Sequence, residues 1–150
     1  MQDKEFLTML ERSRQVKKHI AAWYQANVSP KTRLSRGQPF DLYCPPVGHV
    51  KVREDRLAGG SQHYSFEYED ASGKPAGIAA TTAGEFVIVD GTHVVILKTL
   101  SLLFLIKDCP DRRIIRMGFT TKEGKRSWGY LVPRNYIINS PYSRVLKRWF

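Results

Sequence analysis

The chain has 150 residues, 42% hydrophobic and 25% charged, with 24 Lys and Arg against 14 Asp and Glu, giving a formal charge of +10 and a pI near 9.8. That length accommodates one ordinary core, so a single domain over 1–150 is expected, and so basic a domain favours a polyanionic partner, nucleic acid first. Two distant cysteines, Cys44 and Cys109, argue against a disulfide scaffold, and the longest apolar run, Leu100–Ile106, is too short to span a bilayer.

The opening residues lead into an amphipathic pattern without the apolar core of a secretion signal. An intracellular protein, cytoplasmic or nucleoid-associated and without a membrane partner, is therefore expected. From Asp3 to about Asn27, Phe6, Leu7, Leu10, Val16, Ile20, Trp23 and Tyr24 recur with helical spacing. Val28–Gln38, which carries Pro30, Arg33, Arg36 and Gly37, reads as a phosphate-facing loop.

Pro39–Cys44 and His49–Glu54 read as strands joined by Pro45-Pro46-Val47-Gly48. Alternation places Val50 and Val52 on one face, with His49, Lys51 and Arg53 on the other. Gln62–Glu69 alternates Tyr64, Phe66 and Tyr68 with Ser65, Glu67 and Glu69, completing three successive antiparallel strands. After a Gly/Pro-rich connection and a helical turn over Ile78–Ala83, Glu85–Val89 and His93–Leu97 flank Asp90-Gly91, a hairpin signal.

Thr99–Asp108 reads as a short apolar helix stopped by Cys109-Pro110. Arg113–Thr120 and Ser127–Val132 read as strands around a turn at Thr121–Lys125. Arg134–Ile138 reads as a turn, and Tyr142–Phe150 as a helix with Val145, Leu146 and Trp149 on its apolar side. The order predicts an α/β or α+β domain with a central mixed β-sheet flanked by helices.

Charge is distributed unevenly over these elements. Arg12–Arg36 holds seven basic residues and no acid, and Arg112–Arg148 holds ten with one acid, Glu123. Basic segments flanking a carboxylate-bearing middle suit a phosphate-binding surface around an acidic or metal centre. Arg112, Arg113, Arg116, Lys122, Lys125 and Arg126 straddle the predicted 113–132 hairpin, a density suited to a DNA groove. His19, His63 and His93 are scattered, without a second ligand at metal spacing.

In chain order come Glu11, Phe40-Asp41, Lys51-Val52-Arg53-Glu54-Asp55-Arg56, Ser61-Gln62-His63, Phe66-Glu67-Tyr68-Glu69, Ala76-Gly77-Ile78 and Phe86-Val87-Ile88-Val89-Asp90-Gly91. Over about residues 5–107 this series resembles the PD-(D/E)XK nuclease superfamily, in its small phage-type, junction-resolvase-like and homing-endonuclease-like members. The resemblance implies a restriction-endonuclease-like fold in which Asp41 and Glu67, with Glu11 from the helix, hold Mg²⁺ or Mn²⁺. It further implies a lysine that orients or deprotonates water at a phosphodiester of double-stranded or branched DNA. Cutting both strands with one small site per chain implies a homo-oligomer, dimer or tetramer.

The chain departs from that pattern at two decisive positions. Aligned on Asp55-Arg56, Lys51 stands where the family has an acidic ligand and Arg53 where it has the lysine; shifted by two residues, His49 and Lys51 take those places. The shifted register keeps an endonuclease with Asp41, Lys51, Glu67, His49 and Glu11 as its site. The unshifted register gives a cationic strand face that grips phosphate without chemistry, in a catalytically inactive relative acting as a DNA-binding, inhibitory or structural module. A cross-strand ion pair of Asp41 or Glu67 with Lys51 or Arg53, and a basic RNA-associated domain sharing only the topology, are further readings.

Overall fold

Phe86–Val89 and Val94–Leu97 are apolar at every position, a pattern suited only to strands covered on both faces. They form the middle of the fold in the computed structural model, which describes residues 2–35, 41–55, 58–120 and 126–150. The elements are α1 (Gln2–Asn27), β1 (Arg33–Leu34), β2 (Leu42–Cys44), β3 (Gly48–Glu54), α2 (Ala58–Ser61), β4 (His63–Glu69), a 3-10 turn (Gly77–Ala79), β5 (Glu85–Val89) and β6 (His93–Lys98). They continue with α3 (Thr99–Asp108), β7 (Arg113–Thr120), β8 (Arg126–Pro133), α4 (Arg134–Ile138) and β9 (Arg144–Lys147).

The class is α+β, as the element order predicts. A mixed six-stranded sheet runs β1-β2-β3-β5-β6-β9, with β3 and β5 parallel, and a second, antiparallel sheet runs β4-β8-β7. Side chains alternate across the large sheet. Val50, Val52, Val87, Val89, Val94 and Ile96 pack with Val16, Ile20, Ala21 and Tyr24 of α1. Phe86, Ile88, Val95 and Leu97 pack on the opposite side with Leu102 and Ile106 of α3 and with Tyr64, Phe66 and Val132 of the small sheet. Each fully buried aliphatic or aromatic side chain contributes about 1.5–3 kcal/mol.

Two expectations change. The strand at 63–69 does not extend the β2–β3 hairpin; it leaves for the second sheet, and β5 takes the place beside β3. The reason is burial: the site beside β3 is covered on both faces, and β5 is apolar on both, whereas β4 alternates aromatic with polar residues. Second, the segment expected as a C-terminal helix is β9 at Arg144–Lys147, paired with β6. A strand sends Val145 to the α3-side core and Leu146 to the α1-side core, so one edge strand closes both layers.

The β5–β6 turn is tied to the second sheet through Asp90, which is fully buried. Its carboxylate accepts hydrogen bonds from Tyr64 Oη at 2.6 Å and Arg134 Nε at 2.8 Å, and from the backbone N–H groups of Thr92 at 2.8 Å and His93 at 2.7 Å. Burial alone pushes this carboxyl upward, but the donors from Arg134, Tyr64 and the backbone outweigh it and hold the group well below its usual range. Among the described residues, no helix is long and apolar enough to cross a membrane.

Candidate nucleic-acid interface

β2 is shorter than β3, and the mismatch builds the site. The β2–β3 ladder ends at Leu42 opposite Val50, with Asp41 N–H donating to Val50 O at 3.2 Å. One step further, the Val52 N–H donates to Asp41 Oδ2 at 2.6 Å, so a side-chain carboxylate satisfies this backbone donor. That position buries Asp41, leaving it 8% exposed.

Two ammonium groups then converge on this carboxylate. Lys17 Nζ, from α1, lies 2.9 Å from Oδ1, and Lys51 Nζ, from β3, lies 3.6 Å from Oδ2. Val16 and Ile20 anchor α1 over the sheet, and Lys17, one position round the helix from Val16, falls at the border of that contact. Towards the start of α1, Met9 and Leu10 are 53% and 46% exposed.

Between α1, the second half of β3, β4 and Met117 of β7 opens a cleft of about 580 Å³. Four cations line it, Arg12, Lys17, Lys51 and Arg53, against three carboxylates, Asp41, Glu54 and Glu67. Glu54 is held by Arg12 at 3.0 Å and by Arg148 at 3.4 Å. Arg53 donates to Ser65 Oγ at 2.9 Å and lies 5.9 Å above the Phe66 ring. Burial pushes its guanidinium below the ordinary value, against the opposing attraction of Asp55 and Glu67. Asp55 itself accepts the Ser65 N–H at 3.0 Å.

Gly77, at φ +52°, lets the 3-10 turn close on β4 beside Glu67. A Cβ there would collide with the Glu67 carbonyl oxygen. Gly77→Ala is expected to cost about 2 kcal/mol or more, from left-handed strain plus overpacking, and to shift β4 at the cleft wall. Urea unfolding measures this; an unchanged midpoint would mean that the turn relaxes freely.

The expected site residues thus divide. Asp41, Lys51, Arg53 and Glu67 meet in one cleft. His49 lies two residues back along β3 and outside the cleft lining, its ring centroid 5.2 Å from that of Tyr43. Glu11 is exposed on α1 and does not line the cleft. The cleft therefore takes in Lys51 and Arg53 and leaves out His49.

The other basic candidates are dispersed. Arg33 lies on β1 with its guanidinium 4.9 Å above the Tyr43 ring. Arg113 and Arg126 are exposed on β7 and β8, and Arg116 stacks 3.8 Å above the Trp128 ring. Arg112 donates to the carbonyls of Ile106, at 3.2 Å, and Lys107, capping the end of α3, a role its charge alone does not reveal. Arg36, Lys122 and Lys125 lie outside the described residues. Arg12 and Lys17 were missed as site residues; the available signal was their place beside the buried Val16–Ile20 stripe.

The donor set around Asp41 does not fit Mg²⁺ or Mn²⁺. Such ions take several oxygen ligands at about 2.0–2.6 Å, whereas both Asp41 oxygens already face protein donors and two ammonium groups stand where a cation would sit. Among the described residues no group of three or more His, Cys, Asp or Glu side chains is assembled for a metal. No protein-family model matches the chain, and no curated protein or solved structure matches it either.

Proposed function

We propose that the cleft binds the phosphate backbone of DNA, double-stranded or branched, without a metal-dependent cleavage step. One observation carries this reading: Lys17 and Lys51 converge on the single buried Asp41 while their side chains remain 34% and 37% exposed. The carboxylate fixes the two ammonium groups at the wall of a cleft that four cations line against three acids. Arg12 and Arg53 extend the same surface. A net charge of +10 adds long-range attraction for a polyanion. The reading implies a cytoplasmic or nucleoid-associated protein.

A second reading, phosphodiester hydrolysis with Mg²⁺ or Mn²⁺, draws on the meeting of Asp41, Lys51 and Glu67 in one cleft. It requires both ammonium groups to leave Asp41. Fluorescence anisotropy with a labelled duplex, titrated with salt, tests the first reading. Lys51→Ala is expected to weaken binding about 5- to 10-fold and to lower the log–log salt slope by about one contact. Unchanged affinity and slope would remove Lys51 from the interface. Plasmid cleavage by the wild type with Mn²⁺, abolished in Asp41→Ala, would overturn the non-catalytic reading.

A further inference from the structure

Charge is only part of what the cleft offers. Met9 and Val16 of α1 and Met117 of β7 stand among its cations, and a phosphate backbone lying across the surface leaves such an apolar lining unused. α1 packs on one face of the large sheet and the small sheet on the other, so Met9 and Met117 come to the cleft from opposite sides. Its volume, about 580 Å³, falls within the range of sites that enclose a small molecule, about 300–1,000 Å³. A paired duplex keeps its bases stacked inside, whereas an unpaired nucleotide presents an anion and a flat ring together.

Met117 owes its place to Gly129 on β8. A Cβ at that position would collide with the Met117 sulfur, so the glycine lets the thioether lie against the strand, next to Glu67, the register partner of Gly129. Thioethers are polarisable and make favourable contacts with aromatic rings. Glu67 also differs from the other two acids of the cleft. Asp41 is held by two lysines and Glu54 by two arginines, whereas among the described residues no ion pair holds Glu67, which is drawn only by the longer-range attraction of Arg53. A carboxylate there repels phosphate and accepts from an N–H, such as the exocyclic amino group of cytosine. Thymine has no such group, and its ring N–H is flanked by two carbonyl oxygens.

We propose that the cleft takes one unpaired nucleotide of a branched DNA, its phosphate at Lys17 and Lys51, its base between Met9 and Met117, and an exocyclic amino group donating to Glu67. This rests on phosphate binding by the same cleft and adds the base to it.

Fluorescence anisotropy tests it with one labelled duplex, either fully paired or carrying a short unpaired flap of dC, dT or abasic nucleotides. The dC flap is expected to bind about tenfold tighter than the paired duplex, and the abasic flap, which brings phosphates without bases, about twofold tighter at most. The dT flap is expected to bind about fivefold more weakly than the dC flap. Met117→Ala is expected to remove most of the dC-flap gain and leave the paired duplex unchanged, and Glu67→Ala to bring the dC and dT flaps level. Millimolar deoxycytidine monophosphate, lacking the neighbouring phosphates, is expected not to displace the flap.

An abasic flap that gains as much as dC, equal binding of the dC and dT flaps, or a dC-flap gain that survives Met117→Ala would each overturn the inference. Displacement by micromolar deoxycytidine monophosphate would overturn it too, by making the ligand a free nucleotide. The flap comparisons on the wild type decide even where a variant fails to fold. Lys51→Ala read on the paired duplex reports phosphate binding separately, so that reading and this one fail apart.

Discussion

Asp90→Ala is expected to destabilise the protein by about 3–5 kcal/mol, the scale for removing one partner of a buried ion pair. Tyr64 and Arg134 lose their shared acceptor, and the Thr92 and His93 N–H groups lose the carboxylate that shapes the β5–β6 turn. Because Asp90 is fully buried and joins the central hairpin to β4 and α4, the loss also loosens the contact between the two sheets. Guanidinium unfolding measures the effect. A change below about 1 kcal/mol would mean that water replaces the carboxylate at no cost, contrary to the geometry.

The same cluster sets a pH dependence. The folded-state value of Asp90 lies below its unfolded value, so its contribution is fully present above about pH 4 and declines as pH falls below that, as the unfolded chain takes up the proton first. Tyr24 and Tyr64 are raised, chiefly by burial and then by hydrogen bonds to Glu85 and Asp90. Their contribution is present below about pH 10 and declines above it. Unfolding midpoints measured from pH 2 to 11 are expected to fall at both ends, and Asp90→Asn to flatten the acid limb.

Lys51→Glu is expected to lower DNA affinity about 10- to 100-fold. One charge-assisted contact is worth about 1.5–3 kcal/mol, and the new carboxylate adds repulsion toward phosphate. The substitution also places a second acid beside Asp41, where Lys51 Nζ now stands 3.6 Å from Oδ2. With Lys17→Ala also made, so that neither ammonium group stands at Asp41, the two carboxylates can share a divalent cation, and millimolar Mn²⁺ is expected to raise the melting temperature of the Lys17→Ala/Lys51→Glu protein and leave the wild type unmoved. An equal rise in both proteins would mean that the ammonium groups do not take the place of a cation at Asp41.

Much of this was legible in the chain. The alternation at Val50–Arg53 and Tyr64–Tyr68, the Asp90-Gly91 turn and the helical period of α1 are local patterns, and local patterns follow from side-chain geometry along one segment. They suffice to set cationic side chains beside Asp41. Which of the three cationic side chains of β3 share a cleft with Asp41 was not local: the cleft formed with α1, β4 and β7 takes in Lys51 and Arg53 and leaves out His49.

Composition and periodicity by themselves determined a basic α+β chain with most of its acids between two basic segments. The tertiary structure alone decided which strand lies beside β3, that 144–147 is a strand, and that Lys17 reaches Asp41 from a helix far away in sequence. The physical reason is common to all three. A segment's own pattern states which of its faces must be buried, but which partner buries them depends on the layers that remain uncovered once the rest of the chain has packed.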